Sequence, residues 1–389
     1  MNTVILEGVR TPFGKWKGSL AGLEAKEIGT LAVKELVKRV PEVASEADGV
    51  LLAQVLQAGQ GQNPARRVAI DAGVSLSVPA ITLNNVCLAG LASISDAVRR
   101  IHFGEGDLYI TGGFDSMTNA PYTAPFRKEQ SMGPLQLTDT LINDGLWCSL
   151  ADDSMGVLTD LKNKDFKIDR KAQDEYAQLS QERAAAAQQK GWLQDEIVPL
   201  ILNGKTFTDD EGIRPNSTLE KLETLRPAFV EDGTITAGNA SQMTDGASVG
   251  IVSTEKKAEH LGKTPLARIL GWAEIAGPDT SLHTKPAQAI KAVLEKTKLT
   301  LNDIDLFEIN EAFASVVVAS CRELGIGYDR VNVNGGAIAI GHPLGGTGFR
   351  LVLTVAKELQ RRGGGKGIAS LCGGGGQGMA VLIEVPKSW

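Results

Sequence analysis

The sequence predicts an α/β protein made of two copies of one unit, with an unrelated segment inserted in the first. Strand-like and helix-like stretches alternate at both ends of the 389-residue chain. Their order at one end is repeated at the other. Between about 120 and 250 the alternation is lost, which marks the insertion.

The first unit opens with TVILEGVRTPFG, an apolar run suited to a strand. LEAKEIGTLAVKELVKRV (23–40) spaces its apolar residues as a helix does, and SEADGVLLAQVL (45–56) adds an acidic turn and an apolar strand. AITLNNVC (80–87) reads as a strand ending at a cysteine. LAGLASISDAVRRIHFGEGD then turns on small residues into a helix, and DLYITGG (107–113) runs into glycines.

The second unit answers each element. ARILGWAEIAG (267–277) matches the opening strand, TKPAQAIKAVLEKTKL (284–299) the helix, and LNDIDLFEINEAFA (301–314) the acidic turn and strand. VNVNGGAIAIGHP (331–343) takes the place of the strand that ends at Cys87, here ending near a histidine. LGGTGFRLVLTVAKELQRRGGG gives the turn and helix, and GIASLCGGGG (367–376) the strand into glycines. Such units imply mainly parallel layers packed against one another. Cys87, the stretch around His342 and Cys372 are then expected at comparable strand ends, where open α/β sheets gather reactive groups.

Within the insertion, IDRKAQDEYAQLSQERAAAAQQKG reads as an amphipathic helix capped by Asp169 and stopped by Gly191. Turn-rich stretches such as NGKTFTDDEGIRPNST surround it. Aromatic and aliphatic residues spread through the segment suit a substrate-covering subdomain better than a free linker.

Composition narrows the classes. Net charge is −6 with no basic block, which argues against general nucleic-acid binding. No apolar run has membrane-spanning length, and MNTVILEGVRTPFG enters a strand-like run with no signal-peptide core before it, so a cytoplasmic location is expected. The four cysteines, Cys87, Cys148, Cys321 and Cys372, form no C-x-x-C pair and no zinc-spaced cluster. Reduced thiols and no metal are expected.

SLCGGGGQG (370–378) fits the G-x-G-x-x-G spacing of dinucleotide-binding loops at Gly373, Gly375 and Gly378. A helix must follow for that reading, and MAVLIEV reads as a strand instead. The glycines serve either a tight turn or the presentation of bare N–H groups to an oxyanion beside Cys372. Cys87, ahead of a helix start that favours thiolate, is a nucleophile or a buried structural cysteine. His342, framed by glycines and Pro343, accepts a thiol proton or bonds across the two units. Asn310, ahead of Glu311, orients a water or caps the helix AFASVVVASCREL. Two cysteines, one histidine and glycine-presented amides together fit acyl transfer or carbon–carbon chemistry on a thioester.

The segments RTPFGKWKGSL, QAGQGQNPAR, NNVCLAGLASI, GGFDSMTNAPY, TAGNASQMTDGAS, INEAFA, NVNGGAIAIGHPLGGTG and SLCGGGGQGMA resemble those of the thiolases, the acetyl-CoA C-acyltransferases, over essentially the full length. The resemblance implies a layered αβαβα core of two duplicated halves with a loop domain inserted in the first. Residues 1–119 and 248–266 would form the N-terminal half, 120–247 the insert that binds coenzyme A, and 267–389 the C-terminal half.

The resemblance also implies a ping-pong reaction of 3-oxoacyl-CoA and coenzyme A. Cys87 would carry the acyl group as a thioester, His342 would take the thiol proton, and Cys372 would act as acid and base on the α-carbon. Asn310 would hold a water that shares one oxyanion hole with His342, while the amides of Cys87 and Gly374 would form another. For coenzyme A it points to Arg214 at the nucleotide, Ser241 at the pantetheine, and Leu146, Met155, Ala237, Ala312 and Phe313 as tunnel walls. Coenzyme A thioesters would be substrates, no cofactor would be permanently bound, and the chain would assemble as a homodimer or homotetramer.

Three positions depart from the family pattern. Leu88 stands after the nucleophile where a small residue is usual, Ser154 precedes Met155 where short-chain biosynthetic members carry histidine, and Gly373 replaces a branched residue after the second cysteine. Leu88 is expected to narrow or reshape the acyl site. Reaction on short chains such as acetoacetyl-CoA is the leading expectation. Longer or branched 3-oxoacyl-CoA in degradation is the alternative within the family, and a non-catalytic acyl-CoA-binding scaffold the alternative outside it. Decarboxylating ketoacyl synthases, a related fold, lack the second cysteine.

Overall fold

The computed structural model describes residues 2–124, 127 and 134–389. The stretch TAPFRKEQSMGPLQ (123–136), which does not choose between dimer and tetramer, lies in large part outside them. The first half contains β1 (Thr3–Arg10), α1 (Ala25–Arg39), β2 (Gly49–Ala53), α2 (Pro64–Asp71), β3 (Ala80–Leu83), α3 (Ala89–Phe103) and β4 (Leu108–Ser116). The insertion carries α4 (Met155–Asn163) and α5 (Arg170–Gln189), and β5 (Thr244–Thr254) returns the chain to the first half. The second half contains β6 (Ala267–Ala276), α6 (Lys285–Thr297), β7 (Leu306–Ile309), α7 (Ala314–Leu324), α8 (Leu344–Arg361), β8 (Gly365–Gly373) and β9 (Gln377–Val385).

The strands form one continuous sheet in the order β7-β8-β9-β6-β1-β5-β4-β2-β3, with Gly14–Lys15 added beside β5. β1 and β6 join the halves edge to edge at Thr3–Ile5. The sheet is mixed rather than mainly parallel. Only β2–β3, β2–β4 and β7–β8 pair in parallel, where a helix crosses over between the strands or two strands flank a third. β8 and β9 are joined by a glycine hairpin, which can only be antiparallel, and β5 lies antiparallel between β1 and β4.

Side-chain alternation along the strands builds the layers. In β9, Ala380 and Leu382 face an outer core with Ile290 and Val293 of α6 and Val317 of α7. Met379, Val381 and Ile383 face a central core with Leu91 and Ile94 of α3 and Phe349 and Val352 of α8. On the other side, Val249 and Ile251 of β5 meet Ile28 and Val33 of α1 and Val68 of α2. Helices α3 and α8 are thus the middle layer, between sheet halves covered outside by α1 and α2 and by α6 and α7. Strands buried on both faces explain unbroken apolar runs such as MAVLI.

The two central helices meet through glycine. A Cβ on Gly90 would lie 2.9 Å from the Cα of Gly348, and one on Gly348 only 2.3 Å from the Leu91 nitrogen. Backbone touches backbone there, so the start of α3, just after Cys87, lies beside the start of α8, just after His342.

VNVNGGAIAIGHP is not the strand its counterpart predicts. A single bridge joins Val331 to Phe307, and Ala337–Ile340 forms a short helix. Gly335 adopts a left-handed φ of +77°, and a Cβ on Gly336 would lie 2.4 Å from the Glu311 carboxyl carbon. The chain here is bent over a buried carboxylate rather than extended. In the insertion, the Asp169 side chain accepts from the Ala172 N–H at 2.8 Å and caps α5, while Gly191 at φ +73° ends it, both as the sequence predicts.

Candidate active site

Cys87 sits in the turn between β3 and α3. Val86 before it has φ +48°, a rare conformation for a β-branched residue, held by the Asn84 side chain accepting from its N–H at 3.0 Å. The turn places the Cys87 sulfur beside two backbone N–H donors, its own and that of Gly374. Burial outweighs both donors, and the nearby Asp115 carboxylate adds to it, so the thiol is pushed up to about 12. The sequence expectation that the helix start would lower it is therefore corrected: desolvation wins, and Cys87 rests as a thiol.

The nearby second cysteine arrives on the other half. Cys372 pairs with Gly378 and Gly373 with Gln377 across the β8–β9 hairpin. Gly375 and Gly376 close it at φ +79° and +74°, so the glycine run makes a tight turn and also presents the Gly374 amide. Burial, with Cys87 adjacent, holds the Cys372 thiol above its ordinary value.

His342 lies on neither strand end. It follows Gly341, whose φ is +106° and where a Cβ would lie 2.4 Å from Thr244 Oγ1, so a side chain is excluded. Its N–H donates to that same Thr244 oxygen at 3.0 Å. The ring Nδ1 is 2.6 Å from Thr347 Oγ1, and Thr347 donates its hydroxyl proton to the Pro343 carbonyl at 2.8 Å. With that proton committed, Thr347 accepts from Nδ1–H, which leaves the lone pair on Nε2. Burial first, and the Arg350 guanidinium second, lower His342 to about 3 and keep the ring neutral.

Asn310 lies 3.4 Å from His342 Nε2 through its Nδ2, and its buried Oδ1 has no hydrogen-bond partner among the described residues. It does not cap α7, whose N-cap is Phe313 without a side-chain bond. Glu311 beside it is fully buried and accepts from Tyr176 (2.8 Å), Ser180 (2.7 Å), Asn332 (3.0 Å) and the Ile338 N–H (3.0 Å). The insertion helix α5 thereby anchors the strand end that carries Asn310.

Cys87, His342, Cys372 and Gly374 line one cavity of about 580 Å³, together with Leu146, Met155, Ser241, Ala312 and Phe313. A second cavity of about 550 Å³ shares Leu146, Met155, Ser241, Phe313 and His342 with it and reaches Ala237 and the exposed Arg214. Its walls are mostly apolar, with a few polar groups such as Arg214, Ser241 and His342 among them, as an amphipathic ligand requires. Ser154 borders this second cavity and caps α4, accepting from the Val157 N–H at 3.1 Å. Leu88 borders neither cavity: it is 1 % exposed and belongs to the central core, so it does not narrow the site as its sequence position suggests.

Sequence reasoning missed Thr347 and Asp115. Thr347 is a hydroxyl one turn beyond Pro343, a spacing that would have revealed it. Asp115, in GGFDSM, accepts from the Val55, Leu56 and Gly345 N–H groups and so ties the start of α8 to the first half; burial raises it to about 6. Among the described residues no group of His, Cys, Asp and Glu is arranged to hold a metal, and no helix is long and apolar enough to cross a membrane.

Two family models cover almost the whole chain: the thiolase N-terminal domain matches residues 3–256 and the thiolase C-terminal domain residues 263–385. The chain belongs to the thiolase family. Its relatives include the probable acetyl-CoA acetyltransferase of Mycobacterium tuberculosis, 45 % identical over 98 % of this chain and 99 % of that protein. The acetyl-CoA acetyltransferase of Paracoccus denitrificans is 43 % identical over 98 % of this chain and 99 % of its own length. The crystal structure of the Bacillus anthracis acetyl-CoA acetyltransferase superposes with a TM-score of 0.95 at 37 % identity, covering 98 % of both chains. This thiolase is accordingly an acyltransferase enzyme, with the fold its repeated sequence predicts.

Proposed function

We propose that this thiolase interconverts acetoacetyl-CoA plus coenzyme A with two acetyl-CoA, through an acyl group carried on Cys87. The observation that carries the reading is the common cavity: two thiols, a neutral imidazole and a hairpin amide line one space that continues toward Arg214. The short chain length follows relatives at 41–45 % identity that are named acetyl-CoA acetyltransferases.

In the condensing direction His342 Nε2 takes the Cys87 thiol proton as Sγ bonds to the acyl carbon of acetyl-CoA. The carbon–sulfur bond to coenzyme A breaks, and the leaving sulfur takes the Cys372 proton. The Cys372 thiolate, paired with the imidazolium, then removes an α-proton from a second acetyl-CoA. The resulting carbanion bonds to the acyl carbon on Cys87, whose sulfur leaves and recovers its proton from His342. The Cys87 and Gly374 amides face the oxyanion formed on the acyl group, while Asn310 and His342 face the enolate oxygen through a water. Arg214 engages the nucleotide and Ser241 the pantetheine, between walls formed by Leu146, Met155, Ala237, Ala312 and Phe313.

We divide the chain as 1–119 with 248–266, an insert of 120–247, and 267–389. Coenzyme A thioesters are substrates, and no cofactor stays bound. We place the enzyme in the cytoplasm as a homodimer or homotetramer. Strand β3 supports assembly, since it ends the sheet and carries the 40 % exposed Ile81.

Intact-protein mass spectrometry after mixing with acetyl-CoA, with peptide mapping, tests the reading. One acetyl group on Cys87 is expected, none in Cys87→Ala, and retained acylation without carbon–carbon chemistry in Cys372→Ala. An adduct that survives in Cys87→Ala would overturn the assignment. No adduct, and no turnover of acetoacetyl-CoA or longer 3-oxoacyl-CoAs, would favour the scaffold.

A further inference from the structure

Two of the three departures from the family pattern touch each other. Gly373 does not need to be glycine for its backbone, since its φ is not in the left-handed region. What excludes a side chain is Leu88: a Cβ on Gly373 would lie 2.7 Å from Leu88 Cγ and 3.1 and 3.2 Å from its two methyl carbons. Those are the three nearest atoms. Leu88 is rooted in the central core with Leu91, Leu371 and Met379, so it cannot swing into the cavity without leaving a hole behind it.

The contact is placed where it matters. Leu88 directly follows Cys87, and Gly373 stands between Cys372 and the Gly374 amide that reaches the Cys87 sulfur. The usual small residue after the nucleophile has become large here, and the usual branched residue after the second cysteine has become none. The volume has moved from one side of the contact to the other.

We propose that Leu88 is a positioning residue for both half-reactions: by filling the space that Gly373 leaves open, it sets how close Cys372 and the Gly374 amide stand to Cys87. This rests on the acyl-Cys87 reading above. The two residues act as one unit, and neither is tolerated in the family's usual size without exchanging the other.

The test is a double-mutant cycle of Leu88→Ala, Gly373→Val and their combination. It reads three quantities: the rate of Cys87 acetylation by acetyl-CoA, turnover of acetoacetyl-CoA with coenzyme A, and Tm. Leu88→Ala should slow acetylation several-fold and turnover roughly tenfold or more, since turnover calls on the displaced hairpin in both half-reactions and acetylation calls on it in one. Gly373→Val should lose both turnover and Tm. The double variant should regain turnover to within about threefold of wild type, a coupling that independent sites do not show. Gly373→Ala, with and without Leu88→Ala, repeats the cycle with a smaller change should Gly373→Val fail to fold.

Equal losses of acetylation and turnover in Leu88→Ala would reduce Leu88 to a core residue and overturn the proposal. So would a double variant no better than the product of the singles. If wild type neither acetylates nor turns over, the thiolase reading itself fails and the positioning role falls with it. Tm coupling would then report the packing contact alone.

Discussion

Thr347 Oγ1 lies 2.6 Å from His342 Nδ1 and spends its own proton on the Pro343 carbonyl, so the imidazole proton is held on the side away from Asn310. The His342 imidazole is oriented by a neutral hydroxyl rather than by a carboxylate. No buried negative charge beside the ring is needed to keep it in the right tautomer.

Replacing Thr347 by valine keeps the shape and removes the acceptor. Turnover should fall roughly 10–100-fold, part of what an oriented general base contributes, with KM for coenzyme A little changed. Thr347→Ser should restore most of it. Unchanged kcat in Thr347→Val would show that the ring needs no partner at Nδ1.

Cys87 rests as a thiol pushed up to about 12, chiefly by burial. Its alkylation by iodoacetamide in the unliganded enzyme should therefore rise about tenfold per pH unit between pH 7 and 10, because only the thiolate reacts. It should still exceed labelling of Cys148 and Cys321, which are more deeply buried. The measurement is peptide-resolved labelling against pH. A plateau below pH 8 would mean a preformed thiolate and overturn the dominance of burial.

Arg350 on α8 and Glu308 on β7 form a buried pair at 2.9 Å, and burial raises the carboxyl to about 8 despite the arginine. Arg350→Met removes the one group that favours the carboxylate, so the folded-state value rises further. An acid raised on folding contributes stability below its unfolded value near 4.5, and that contribution is lost as pH rises through the folded value. The variant should follow wild type's pH dependence from about pH 5 to 8 and lose a further ~1.4 kcal/mol per pH unit relative to it above about pH 8, where wild-type Glu308 ionises and the variant's does not. Glu308→Gln in the same chain should recover much of it. Denaturant melts across pH 5–9 check this, and a pH-independent loss would place the effect elsewhere.

How much was legible in the sequence depends on the kind of signal. The repeat was readable because apolar periodicity survives in both halves: LEAKEIGTLAVKELVKRV and TKPAQAIKAVLEKTKL became α1 and α6 nearly residue for residue. Cys87, His342 and Cys372 stood out by residue type and glycine framing. The VNVNGGAIAIGHP stretch misled because its pattern of apolar residues is strand-like. What bends it is the buried Glu311, held by Tyr176 and Ser180 from a helix far away in sequence. Cys87 misled for a related reason, since desolvation is set by the whole enclosing fold and a local helix start reports only part of it. Leu88 looked like an intruder because its neighbour in sequence is the nucleophile, while its neighbour in space is Gly373.

The glycine seam between α3 and α8 gives the duplication a division of labour. On the proposed reading, one copy supplies the acyl carrier, and the other supplies both proton handlers and the hairpin amide. Neither copy is a weaker version of the whole, because each lacks what the other holds. Gly90 and Gly348 leave no side chain to cushion the join, so the distance between carrier and base is inherited directly from two backbones in contact. A bulkier residue at either position would part Cys87 from all its partners in the other copy together. Damage at the seam would thus silence the enzyme outright, not merely slow one of its steps.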